Sequence, residues 1–288
     1  MFGIVGIAVT FAMVFGGYVL AGGKLGVIMR SLPYEMMMIG GAALGAYLLS
    51  NDASTIKKTL SGLRRAFRGA RWKEQDYQDV LSLQFQLLRI ARSNPIELEE
   101  HIENAAESAI FQLYPRILES AEVVAIICDT MRSASLNYDD PFQVEEILTR
   151  RINLIKEEEA HVPHALQGTA DALPALGIVA AVLGVIKTMS SIDQPPEILG
   201  KMIGGALVGT FLGVFLAYGF VAPLAQRLAS VTKQDQAFLD VVKATLIAGL
   251  HQHAINLCVE VGRQAAPGHI RPSFIDLENR LRELKRAA

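Results

Sequence analysis

Few residues along this 288-residue chain combine the type and the spacing that chemistry needs. His161 with His164, and His251 with His253, come nearest to a metal-binding pattern, yet neither pair has the supporting ligands of a zinc site. Surface histidines are the expectation there. Glu157 to Glu159 reads as a solvated acidic turn. Gly23-Lys24 lacks the glycine spacing of a phosphate-binding loop, and no motif pairs a nucleophile with a base. No catalytic residue, metal or cofactor is expected, the chain does not read as an enzyme, and no nucleic-acid partner is expected. What stands out is a pair of prolines, Pro174 and Pro223, each near one end of a long apolar stretch. A proline inside a helix removes one backbone hydrogen bond and clashes with the carbonyl four residues earlier, here Ala170 and Gly219. Two kinks at one depth would let two helices bend together.

The elements that must position those prolines are membrane spans. Met1 to Gly23 holds no charge before Lys24, and Met36 to Asn51 none between Glu35 and Asp52. Ala172 to Ile186 is uncharged between Asp171 and Lys187, and Met202 to Gln226 between Lys201 and Arg227. A helix crosses a bilayer with about 20 predominantly apolar residues. The first and fourth stretches reach that length, and the second and third must borrow their flanks. A composition of 51% hydrophobic and 19% charged residues, with mean hydropathy +0.31, is too apolar for an ordinary soluble domain. The first stretch lacks a basic n-region and outruns the usual ~7–15 residue core of a signal peptide, so a retained helix is expected. With no ionisable group inside any stretch, the chain cannot relay protons or sodium alone. A titrating group would have to come from another polypeptide.

Basic residues set the expected orientation. Lys57, Lys58, Arg64, Arg65, Arg68, Arg71 and Lys73 follow the second span, whereas Lys24 and Arg30 alone occupy the preceding loop. The positive-inside rule then places both termini and the long middle segment in the cytoplasm. Cys128 and Cys258 fall in a reducing compartment, where no disulfide is expected. The fold class is all-α: a polytopic membrane protein with four transmembrane helices and a large helical cytoplasmic insert. The expected divisions are a first hairpin at 1–51 (helices about 1–23 and 34–51), an insert at 52–170, a second hairpin at 171–226 (helices about 171–191 and 201–226) and a helical tail at 227–288.

Local signals support the helices. From Tyr77 to Leu88 the apolar residues recur at intervals of three and four. Asn94 can cap a following helix, Pro95 suits its first position, and Glu97 has capping-box spacing. Ser273 with Asp276 reads as another cap. In the fourth span Gly205, Gly209, Gly213 and Ala217 line one face, Gly177, Ala180, Ala181 and Gly184 recur in the third, and Gly41 and Gly45 in the second. In lipid, helices associate through such small residues, whether within one subunit or between subunits. An oligomer is expected.

At this level of detail the residues carry a resemblance. Asp171-Ala-Leu-Pro-Ala-Leu-Gly-Ile-Val-Ala-Ala-Val-Leu-Gly-Val and Gly209-Thr-Phe-Leu-Gly-Val-Phe-Leu-Ala-Tyr-Gly-Phe-Val-Ala-Pro-Leu are similar to the third and fourth helices of the MotA family of flagellar stator proteins. Val14-Phe-Gly-Gly-Tyr, Tyr114-Pro-Arg-Ile-Leu, Val259-Glu-Val-Gly-Arg and Arg271-Pro-Ser-Phe-Ile-Asp-Leu-Glu also resemble it, in the same order along the chain. The resemblance implies a homo-oligomeric ring, a pentamer in the family, in the bacterial inner membrane, surrounded by lipid. The ring encloses a MotB-like partner that supplies the channel aspartate. Proton passage turns the ring against the rotor protein FliG.

By match to the family motifs, Pro174 and Pro223 become the two coupling prolines, Thr210 a channel-facing hydroxyl, and Tyr218 a residue of the same returning helix. Sodium-driven relatives carry threonine seven residues after the third-helix proline, where this chain has Ala181, so a proton-driven stator is implied. Arg92 and Glu99 match the charged residues that meet the rotor, with Arg89 one helical turn from Arg92. Their signs are also those that helix ends favour. The related ExbB/TolQ subunits, which energise envelope transport, are the alternative, but they typically have three membrane helices.

Overall fold

The charge-free run at the start of the chain forms α1 (Phe2–Leu20) and stops where a glycine can adopt a left-handed backbone. Gly22 has φ +84, its N–H donates to the Val19 carbonyl, and the Gly23 N–H donates to that of Tyr18. That bond pair is the Schellman closure of a helix C-terminus. The computed structural model describes residues 2–136 and 140–287. It continues with α2 (Leu25–Ser50), α3 (Ala53–Arg68), α4 (Glu74–Ser93) and α5 (Pro95–Glu103). Two one-turn helices follow, α6 (Ala109–Gln112) and α7 (Pro115–Leu118), then α8 (Ala121–Leu136) and the 49-residue α9 (Pro141–Met189). The chain returns through α10 (Pro196–Leu216), a π-helical turn (Ala217–Val221) and α11 (Ala222–Leu250), and ends in α12 (Ile255–Ala265) and α13 (Phe274–Ala287). All regular elements among the described residues are helical.

Four stretches are long and apolar enough to cross a membrane: Gly3–Leu20, Leu25–Ser50, and portions of Pro141–Met189 and Pro196–Leu250. The second departs from expectation. It begins at Leu25 rather than near position 34, and it carries Arg30, Pro33 and Glu35 inside the helix. Pro33 is exposed, and the helix continues past it. The expectation that no ionisable group lies within a span is therefore wrong: Glu35 is near the middle of α2 and buried.

The chain forms two units. One contains residues 1–69 and 159–231, the other 70–158 and 232–288. In the first, Ile39 and Ala43 of α2, Leu173 and Ala180 of α9, Leu212 of α10 and Ala217 of the π turn make one apolar cluster. Ala66, Val162, Leu166, Ala225 and Leu228 make a second. Helix α1 packs through aromatic rings, with Phe11 and Phe15 against Phe211, Phe215 and Phe220 at centroid distances of 5.0 to 6.0 Å. The hydrophobic window of α1 is otherwise uncovered by this chain.

The second unit joins the middle segment to the tail. Trp72 stacks on Phe238 at 4.0 Å, and Tyr77, Phe85 and Phe111 fill the same core. Helix α12 reaches that core because Gly262 has no side chain: a Cβ there would lie 1.9 Å from the Thr245 hydroxyl and 2.8 Å from Leu81. Asp76, only 1% exposed, accepts from Arg116 Nε at 2.6 Å, from Arg116 Nη2 at 3.0 Å and from the Lys73 N–H at 2.7 Å. A buried carboxylate needs that degree of satisfaction. At the α4–α5 junction the Asn94 side chain accepts from the Glu97 N–H, and Pro95 takes the first helical position. Glu97 does not close a full capping box. Its carboxylate instead accepts from the Asn94 side-chain amide at 3.3 Å, because the Asn94 N–H already donates to Ile90.

Candidate functional site

In the first unit the site is built where α2, α9 and α10 touch through glycine. A Cβ on Gly213 would lie 2.7 Å from the Leu173 carbonyl and 2.8 Å from Gly177 Cα. One on Gly177 would meet the Gly209 carbonyl at 2.8 Å, and one on Gly184 would meet Ala206 at 2.6 Å. These residues therefore seat α9 directly on α10, backbone against backbone, as helices in lipid require for close dispersion contact. Glycines of α10 also receive side chains of α2. A Cβ on Gly209 would lie 2.7 Å from Glu35 Oε2, and one on Gly205 would lie 3.0 Å from Ser31 Oγ. The glycine ladder is thus consumed largely inside one subunit. Gly41 and Gly45 of α2 differ, with open space where a Cβ would stand.

Ala181 comes to this junction through its backbone, since a Cβ on Gly209 would lie 3.2 Å from the Ala181 nitrogen. Its methyl offers no oxygen to a cation. Thr210, half-buried, follows Gly209 on α10. Pro174 is half-buried within α9, next to Leu173, whose carbonyl abuts Gly213. Tyr218 lies in the π turn and is 66% exposed, and Pro223 is exposed just beyond it. The turn itself is the local answer to Pro223. The Ala222 N–H donates to Ala217, five residues back, so the helix widens immediately before the residue that cannot donate.

Sequence reasoning missed Glu35 because it ended the span at the first charge. The usable signal was periodicity. Ser31, Glu35, Ile39 and Ala43 fall every four residues, and the last three are buried, so Glu35 stands on the inward stripe of its helix.

The second unit holds the charged residues near the α4–α5 turn. Arg92 and Glu99 are both exposed and line one cleft of about 300 Å³, whose apolar wall includes Leu88, Leu98, Met131 and Leu246. Arg92 Nη2 donates to the His253 carbonyl, which holds the guanidinium at the mouth. Arg89 is half-buried and is not among the residues lining the cleft. His251, expected as a plain surface residue, instead pairs through Nε2 with Glu145 at 2.6 Å. Among the described residues, no group of three His, Cys, Asp or Glu side chains is arranged to hold a metal ion.

Residues 4–95 match the family described as Motility protein A N-terminal, and residues 122–240 match the MotA/TolQ/ExbB proton channel family. The chain is 39% identical over 284 residues to Motility protein A of Salmonella typhimurium, covering 98% of this chain and 95% of that protein. It is 34% identical to chemotaxis protein LafT of Vibrio parahaemolyticus, covering 96% and 97% respectively. The solved structure of C. jejuni MotAB shares the fold with a TM-score of 0.71 over 94% of this chain and 98% of that one, at 18% identity.

Proposed function

The chain belongs to the motility protein A branch of the MotA/TolQ/ExbB proton channel family, and on that premise we propose that it is a stator subunit of the bacterial flagellar motor. With a MotB-type partner it forms a proton-conducting complex that converts the proton gradient into torque on the rotor. One observation carries this: the similarity to motility proteins runs through both units, so the membrane spans and the helical unit that would meet a rotor are present in one chain. The ExbB/TolQ alternative has no comparable support, because the near-full-length relatives are motility and chemotaxis proteins.

The partner's helices would stand against the exposed Tyr218 and Pro223 and beside Thr210, with Pro174 and Pro223 bending α9 and the helix formed by α10 and α11 as the proton passes. The uncovered α1 and the open Gly41–Gly45 face supply surfaces for neighbouring subunits of a pentamer and for lipid. Ala181 leaves no extra oxygen for a dehydrated sodium ion, which supports proton specificity. Arg92 and Glu99, with Arg89 nearby, would meet the rotor protein FliG by charge complementarity, which governs encounter and register more than affinity. The positive-inside rule supports an inner-membrane orientation with both termini cytoplasmic. Reconstitution tests the proposal: the chain with a MotB-type partner should carry proton current into vesicles, and the chain alone should not. Current from the chain alone would contradict a shared channel.

A further inference from the structure

We propose that Glu35 is a proton-binding residue of the conduction route, one that this chain supplies itself in addition to the partner's carboxylate. The inference rests on the proton-conducting function proposed above.

Glu35 lies near the middle of α2, is 5% exposed, and its Oε2 has no hydrogen-bond partner. A carboxyl group in a membrane span is expensive and normally faces an ion or proton pathway. Here it has no structural employment: among the described residues, no ion pair or hydrogen bond ties it to the bundle. Side-chain identity at the junction is nonetheless arranged around it. Gly209 is the residue over which the carboxylate lies, and any Cβ there would come within 2.7 Å of Oε2. One turn away, Ser31 occupies the space above Gly205 in the same manner. The two oxygen-bearing side chains, one turn apart on α2, thus form a short polar stripe against Gly205 and Gly209 of α10, ending where Ala181 of α9 approaches. Around the Gly209 position the nearest atoms are Glu35 Oε2 and, from α9, Ala180 Cβ and the Ala181 nitrogen, and neither alanine titrates. Among the residues named here, Glu35 is the one able to accept and release a proton.

The step is a simple transfer. The carboxylate takes one proton from a hydronium ion arriving from the outer solution, forming one O–H bond and leaving water. It then gives that proton to the partner's carboxylate, and no electron changes hands.

The test uses the complex with its MotB-type partner in vesicles. Glu35→Gln keeps the shape and removes the exchangeable proton, whereas Glu35→Asp keeps the acid. With complex assembly matched by co-purification, Glu35→Gln should lower proton flux by roughly 10²-fold or more, the scale of a lost proton-transfer group, and Glu35→Asp should retain flux. Infrared difference spectra of the wild-type complex across a pH titration should contain a protonated-carboxyl band that Glu35→Gln removes. A Glu35→Gln complex that conducts at the wild-type rate, or an unchanged band, would overturn the inference while leaving the stator function standing. A wild-type complex that conducts no protons would overturn both.

Discussion

Replacing Gly213 with alanine adds one methyl group and tests whether α9 and α10 are seated as tightly as described. The new Cβ would stand 2.7 Å from the Leu173 carbonyl and 2.8 Å from Gly177 Cα. Both are backbone atoms, so no flexible side chain can swing away. Ordinary contact starts at 3.4 Å, and the helices must part locally by about 0.7 Å. Overpacking of this kind costs about 1–3 kcal/mol, and rigid neighbours place it in the upper half. A gap of about 0.5–1 Å also forfeits a quarter to a half of each affected dispersion contact. Against this, alanine gains about 1 kcal/mol over glycine in a helix interior. The net expectation is a loss of about 1–2 kcal/mol. Gly168→Ala is the control, because Gly168 is an exposed residue of α9 with nothing within 4 Å of its would-be Cβ. There only the propensity term survives, and stability should rise by up to about 1 kcal/mol. Equilibrium unfolding in mixed detergent micelles, followed by circular dichroism, measures both. Gly213→Ala at or above wild-type stability would refute the backbone-on-backbone seating.

Three further outcomes follow from the second unit. Arg263 donates to both Glu260 oxygens at 2.7 Å and, with lesser help from Gln264, holds that carboxyl below the ordinary value of 4.5. A depressed folded-state value stabilises above the unfolded one, so this contribution is complete at neutral pH and lost as pH falls through the ordinary carboxylate range; Glu260→Gln should flatten that part of the stability profile measured by chemical unfolding. Burial pushes the Cys128 thiol up to about 11 and raises that of Cys258 as well, so both should resist maleimide at pH 8 until denaturant is added, and rapid labelling of the native protein would contradict their burial. Arg92→Glu should abolish torque in tethered cells while leaving proton flux through the complex intact, and unchanged swimming would remove Arg92 from the rotor contact.

The spans, the cap at Asn94 and Pro95 and the tight small-residue faces were legible in the sequence because each depends on residues close along the chain. Charge absence marks a span, and glycine spacing marks a helix contact. Glu35 escaped because a hydropathy boundary stops at any charge, whereas α2 continues across Arg30, Glu35 and even Pro33, whose missing N–H leaves out one backbone bond without ending the helix. The π turn escaped for a related reason: Pro223 announces a missing donor, but whether the backbone kinks or widens depends on how Ala217 and Phe215 to Val221 pack. The hydrogen bond from Arg92 to the His253 carbonyl joins residues 161 positions apart, and no local pattern encodes it. The same holds for the packing of the tail onto the middle segment through Phe238, Thr245 and Gly262.

The central claim is that this chain drives rotation with protons, and rotation can be watched. A bacterium deleted for its own stator genes and supplied with this chain and a MotB-type partner should spin when tethered. Its torque should follow the proton gradient, persist without sodium, and collapse on addition of a protonophore. Torque that disappears on sodium removal but survives the protonophore would contradict the account.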